Sequence, residues 1–256
     1  MKRGQINMFV IAGIAIIVII ALLFFYRGKL LPILDIGKET NPNIFFESCI
    51  EDKVKEAVGI MLPQGGYIEP EFSFKFKFEG ERYQNISYLC YNENYYIPCV
   101  NQEPMLMTHI EEEIYNYVED GIENCFEDYV LKLKKENYEV NSVYDGFEIE
   151  LIPKRILINI YGKITLEKTG ETSKQENFEV RVPTEFYDLA VVAQEIVSQE
   201  AEYCNFEQVG FMLLNQEFEL DKFKTGNSKT IYTIKHRKSG EAFRFAVRGC
   251  VMPAGM

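Results

Sequence analysis

The sequence predicts an α+β protein, with one N-terminal transmembrane helix followed by an extracytoplasmic domain of antiparallel sheets and about three amphipathic helices. Three observations carry this reading. Met8 to Tyr26 is a run of 19 residues without a charge. Beyond it, apolar residues recur at helical spacing in three segments and alternate with polar ones in the segments between. Six cysteines fall entirely in the part beyond the run.

At about 1.5 Å per residue, a helix over Met8–Tyr26 matches a hydrocarbon core of about 30 Å. A buried helix of that length in a soluble core would show a polar stripe, and this one has none. A cleaved secretory signal has a shorter apolar region and a small-residue cleavage site. Here the run ends in Phe24-Phe25-Tyr26-Arg27, so the segment is expected to stay as an anchor. Lys2 and Arg3 flank one end and Arg27 and Lys29 the other, which leaves the positive-inside rule nearly tied. The cysteines break the tie. Six without a C-x-x-C pair fit a disulfide framework better than a metal site, which puts residues 30–256 outside and the N-terminus in the cytoplasm. Asn85-Ile86-Ser87, a possible glycosylation sequon, agrees with that side.

The division that follows is 1–29 for the cytoplasmic tip and anchor, 30–44 for a linker holding Pro32, Gly37 and Pro42, and 45–256 for the domain. The first helical stripe is Phe46, Cys49, Ile50, Val54, Ala57, Val58 and Met61, ended by Pro63 and Gly65-Gly66. The second is Ile110, Ile114, Val118, Ile122, Cys125 and Tyr129, with Thr108 and Glu111 spaced as a capping box. The third is Phe186, Leu189, Ala190, Ala193, Ile196, Val197 and Cys204, with Thr184 as its N-cap. Between them, Phe72, Phe74, Phe76 and Phe78 alternate with Ser73, Lys75 and Lys77, a strand with one apolar face. Ile86–Tyr91 and Tyr95–Val100 flank Asn92-Glu93-Asn94 as a hairpin. Phe147–Ile152, Arg155–Glu167 and Phe178–Val182 are further strands, and Ile231–Lys235 with Ala242–Val251 form a last hairpin. The order of elements suggests two α/β layers, 45–130 and 131–256.

Cys49, Cys125 and Cys204 sit on the three helical stripes. The preferred pairing is Cys49 with Cys125, Cys90 with Cys99 across the hairpin, and Cys204 with Cys250. Other pairings stay open on sequence alone, as does a set of buried free thiols. Strict alternation would turn Cys250 away from Phe243, Phe245 and Val247, so this pairing asks for a bulge at Gly249.

Composition narrows the function. The chain has 27 basic and 39 acidic residues, and only basic ones, four of them, occur in residues 1–29. The rest carries 23 against 39, a formal −16, a surface that repels nucleic acid. No nucleophile elbow, P-loop or dinucleotide fingerprint occurs. His109 and Glu113 stand at i, i+4 and form half of a metal site at most; His236 falls at a hairpin tip and reads as solvated. Glu111-Glu112-Glu113 and Glu119-Asp120 read as a solvated helix face. Tyr83, Tyr88, Tyr91, Tyr95 and Tyr96 read either as ordinary strand filling or as an aromatic recognition patch. No catalytic residue, metal ligand or cofactor is assigned.

Lys2-Arg3-Gly4-Gln5-Ile6-Asn7-Met8-Phe9, followed by the apolar run, resembles the class III signal peptide of archaeal type IV pilin-like proteins. The resemblance covers about the first 25 residues and implies cleavage by a prepilin peptidase between Gly4 and Gln5, with the helix kept. Phe9 stands where that family usually has Glu, and Gly28 and Pro32 interrupt the helix early, so it implies processing rather than a major filament subunit. Gly65-Gly66-Tyr67 and Phe245-Ala246-Val247-Arg248 make the domain similar to uncharacterised single-pass membrane proteins of small-genome archaea. The expectation is a membrane-anchored cell-surface binding or assembly protein. It would be held in the bilayer by residues 8–26 and take protein partners or a second copy, without nucleic acid. The alternatives are a minor pilin-like subunit and a membrane-anchored hydrolase using acidic residues.

Overall fold

The computed structural model describes residues 41–252. Met8–Tyr26, the Gly4–Gln5 site and most of the linker lie outside the described residues. Among the described residues, no helix is long and apolar enough to cross a membrane.

The domain is α+β. Helix α1 spans Pro42–Met61 and buries Phe46, Ile50, Val54, Ala57, Val58 and Met61, the stripe read from the sequence. It starts inside the expected linker, because Pro42 occupies the first turn, where a missing N–H costs nothing. A 3₁₀ turn, Leu62–Gln64, ends it at Gly65, whose φ of 75° is left-handed. A Cβ there would stand 3.0 Å from the Ser87 Cβ, so the position asks for glycine on two counts.

Helix α2, Leu106–Lys135, begins earlier than the capping box predicts. Met105 precedes it without a side-chain cap, and Thr108 lies within the first turn. Burial of Leu106 extends the apolar stripe by one turn. The Glu111 carboxylate accepts instead from the Leu151 N–H at 2.7 Å. Helix α3, Phe186–Tyr203, carries the third stripe. Its N-cap is Glu185, one residue later than expected and without a side-chain cap; Thr184 Oγ1, just ahead of it, accepts from the Phe186 N–H at 3.2 Å, while Glu241 holds both the Thr184 hydroxyl and the Glu185 N–H.

Two sheets flank the helices. One has three long antiparallel strands, β4 (Glu139–Ile152), β5 (Arg155–Lys168) and β6 (Glu171–Pro183), in that order. The other joins β1 (Ser73–Phe76), β2 (Gln84–Tyr91), β9 (Ala242–Arg248), β8 (Thr230–His236) and β7 (Phe218–Lys224), with β3 (Val100–Asn101) also on β2. Every pairing of these strands is antiparallel except β2 with β9, which is parallel. These two strands are far apart in sequence, so no tight turn dictates their direction. The expected hairpin shrinks for a related reason: only Val100 and Asn101 pair with β2, Tyr95 makes an isolated parallel bridge to Val251, and Tyr96–Cys99 is loop.

The alternating phenylalanines line the outer face of this second sheet. Phe76 and Phe78 reach Phe223 of β7, with ring centroids 5.5 and 5.4 Å apart, so the sheet curls until its two ends meet. That curl buries a satellite cluster of Ile86, Tyr88, Ile231 and Ala246. On the inner face a single cluster runs from α1, α2 and α3 through both sheets, on both sides of residue 130.

Candidate functional site

All six cysteines pair as preferred: Cys49 with Cys125, Cys90 with Cys99, and Cys204 with Cys250. The first joins α1 to α2 from facing stripes. The third is reached without a strand bulge. The chain leaves β9 at Gly249, and Cys250 takes a left-handed φ of 49° that turns its side chain back toward Cys204.

The second and third disulfides converge on one loop. Cys90–Cys99 closes the segment that carries Tyr95, Tyr96 and Ile97. Its backbone is tied to the strand that ends at Arg248: the Asn92 N–H donates to the Arg248 carbonyl at 2.7 Å, Tyr96 N–H to Val251 at 2.9 Å, and Cys250 N–H to Ile97 at 2.7 Å. Asn92 Nδ2 donates to the Pro98 carbonyl at 2.9 Å, and the Asn92 Oδ1 accepts the Asn94 N–H, an Asx turn. Gly249 lies so close that a Cβ on it would be 2.7 Å from the Cys99 amide nitrogen. Such cross-linking usually accompanies burial, yet Tyr95, Tyr96 and Ile97 are 52%, 53% and 45% exposed. Tyr203, beside Cys204, and Met252, beyond Cys250, are exposed as well. The loop is therefore a cross-linked, half-exposed apolar and aromatic surface, whose tyrosines offer contact area with little side-chain entropy left to lose.

The five sequence-singled tyrosines divide. Tyr88 and Tyr91 belong to β2 and pack edge to face at 5.0 Å on the outer sheet face. Tyr83, Tyr95 and Tyr96 are exposed. Asn85 lies half-buried within β2, opposite Lys75, and Ser87 is buried and donates to the Gln64 carbonyl at 2.5 Å.

The acidic run on α2 differs from the solvated face expected of it. Glu113 accepts the Ile68 N–H at 2.8 Å, as Glu111 does that of Leu151, so two of the three pin neighbouring backbone. His109 packs tilted against Tyr67 with ring centroids 4.1 Å apart and has Nδ1 3.8 Å from Glu103. No group of three metal-ligating side chains occurs among the described residues.

His236 is buried, against the sequence reading of a solvated tip. It lines a cavity of about 600 Å³ with Glu185, Asp188, Phe211 and Asn215. Period-two alternation on β8 puts it on the face of Tyr232 and Ile234, a signal that was present in the sequence. Its Nδ1 is 3.1 Å from Ser239 Oγ, 3.3 Å from the Ser239 amide and 3.8 Å from Glu185. Serine and carboxylate thus meet the same ring nitrogen, so the imidazole cannot relay a proton between them.

No family model, no curated protein and no solved structure matches the chain.

Proposed function

We propose that the chain is a membrane-anchored cell-surface protein whose domain acts by binding a protein partner or a second copy of itself through the Tyr95–Ile97 loop, and not by catalysis. The observation that carries the reading is a loop clamped by two disulfides while its apolar side chains face solvent. Rigidity of that kind lowers the entropy lost on association. The uncharged run Met8–Tyr26 supports the anchor, and three closed disulfides support an oxidising compartment. A photo-crosslinking residue in place of Tyr95, tested in intact cells, is expected to yield a discrete crosslinked protein band. The same residue in place of Lys134 is expected to give none. Equal yields at both positions would end the reading. Location is checked separately, by a membrane-impermeant amine reagent added to intact cells: residues 45–256 labelled only after the cells are permeabilised would place them inside.

The basic-Gly-Gln start favours a second reading, a minor pilin-like subunit. It requires a mature N-terminus at Gln5, and Edman sequencing that returned Met1 or Lys2 would remove it.

A further inference from the structure

The outer face of the curled sheet holds cations treated in two different ways. Arg244 lies with Cζ 4.4 Å from the Phe78 ring centroid and is paired: Nη1 and Nη2 donate to the Glu81 carboxylate at 2.8 and 3.1 Å, and Nη1 also to Gln84. Lys229 and Arg248 lie over rings too, but without an acid. Lys229 Nζ is 4.2 Å from the Phe74 centroid and 5.8 Å from that of Tyr88. Arg248 Cζ is 5.5 Å from the Tyr91 centroid, and its Nη1 donates to the Asn92 carbonyl. Among the described residues, neither forms an ion pair. Most described lysines and arginines form no ion pair, so what sets these two apart is that both lie over one connected row of rings, Phe74, Tyr88 and Tyr91.

The rings beneath add donors. Tyr88 and Tyr91 meet edge to face, and neither hydroxyl bonds to another described residue. Burial pushes the Tyr88 phenol up to about 12, so it stays a neutral donor at ordinary pH. Burial, and then the charge of Arg248, hold the Lys229 ammonium below its usual value. The ring faces offset part of the cost of holding two like charges half-withdrawn from water, and an anion between the two would offset more.

We propose that Lys229, Arg248, Tyr88 and Tyr91 form an oxyanion site that takes a carboxylate, sulfate or phosphate group of a ligand. The guanidinium has donors left after the Asn92 contact, the ammonium supplies a point charge, and the phenols complete the set. Phe72, with its ring 5.1 Å from Tyr88 and 4.8 Å from Tyr91, offers an exposed apolar surface for the rest of the ligand. The inference does not rest on the tyrosine loop, and either can fail alone.

Isothermal titration of the full chain in nonionic detergent, at pH 7 and low salt, tests it with sodium sulfate, sodium phosphate and sodium glucuronate. Sodium chloride at matched ionic strength is the control. At least one oxyanion is expected to bind saturably above chloride, and the strongest of the three identifies the group. Loss of a charge-assisted bond should weaken binding about tenfold in K229Q and in R248Q, and about threefold in Y91F, with K134Q unchanged. Near-UV circular dichroism identifies any variant that fails to fold; K229Q and Y91F then decide without R248Q. No binding above chloride, or binding unchanged in the folded variants, overturns the site.

Discussion

Glu200 shows how one buried residue can set the cost of change around it. Its carboxylate accepts from Lys222 Nζ at 3.0 Å and from the Tyr232 hydroxyl, at the inner face of β7 and β8. Lys222 is also held by Asn205 Oδ1 at 3.0 Å. Glu200→Ala leaves an ammonium buried without its anion and is expected to cost about 3–5 kcal/mol in urea unfolding. Adding Lys222→Met should recover a large part of that loss. Tyrosines supply a second residue-scale expectation. Burial raises the phenols of Tyr88 and Tyr144 from an ordinary 10.0 to about 12, and raises Tyr67 and Tyr232 further. Each phenol holds its proton more tightly when folded, so its contribution is complete below pH 10 and is lost as pH rises toward 12. Unfolding midpoints should fall steeply across that interval, and Tyr144→Phe should flatten the slope. A midpoint independent of pH there would contradict this account.

Helix α2 dominates at the scale of elements, since its stripe from Leu106 to Leu133 faces both α1 and the long sheet. Ile114→Ala is expected to lose about 2–5 kcal/mol, read as a lower denaturant midpoint with an unchanged slope. That stripe was legible in the sequence, as were the stripes of α1 and α3 and the β8–β9 hairpin, because each buries one face and so carries a clean period. What escaped the reading has the opposite character. Residues Gln208–Leu214 (α4) form a helix with no fully buried residue, whose Val209, Leu213 and Leu214 face solvent, so no stripe marks it. In β7 the inward position after Phe218 and Leu220 is Lys222, and a lysine there hides the alternation that its pairing with Glu200 makes tolerable. The parallel β2–β9 pairing depends on contacts between distant segments, which no local period records. The site was half legible: its tyrosines and cysteines stood out, but their exposure depended on Tyr95–Cys99 failing to become a strand.

Across the whole molecule, the three disulfides divide between holding the fold and shaping the site. They span 76, 9 and 46 positions for Cys49–Cys125, Cys90–Cys99 and Cys204–Cys250. Loop-closure entropy grows with span, so the contributions are about 4.5, 2.5 and 4 kcal/mol in that order. The bridge with the least to give thermodynamically is the one that closes the tyrosine loop. Access separates them again: Cys90, Cys99 and Cys125 are buried, whereas Cys204 and Cys250 are both partly open to solvent. Mild reductant without denaturant should therefore open Cys204–Cys250 first, as differential alkylation and peptide mapping would record. The informative variant is Cys90→Ser with Cys99→Ser. If the bridge exists to hold Tyr95, Tyr96 and Ile97 in place, the pair of changes should cost about 2.5 kcal/mol of stability. Crosslinking at Tyr95 should vanish at temperatures where the domain remains folded. Crosslinking that survives in the folded variant would mean that the hydrogen bonds to Arg248, Val251 and Cys250 hold the loop by themselves.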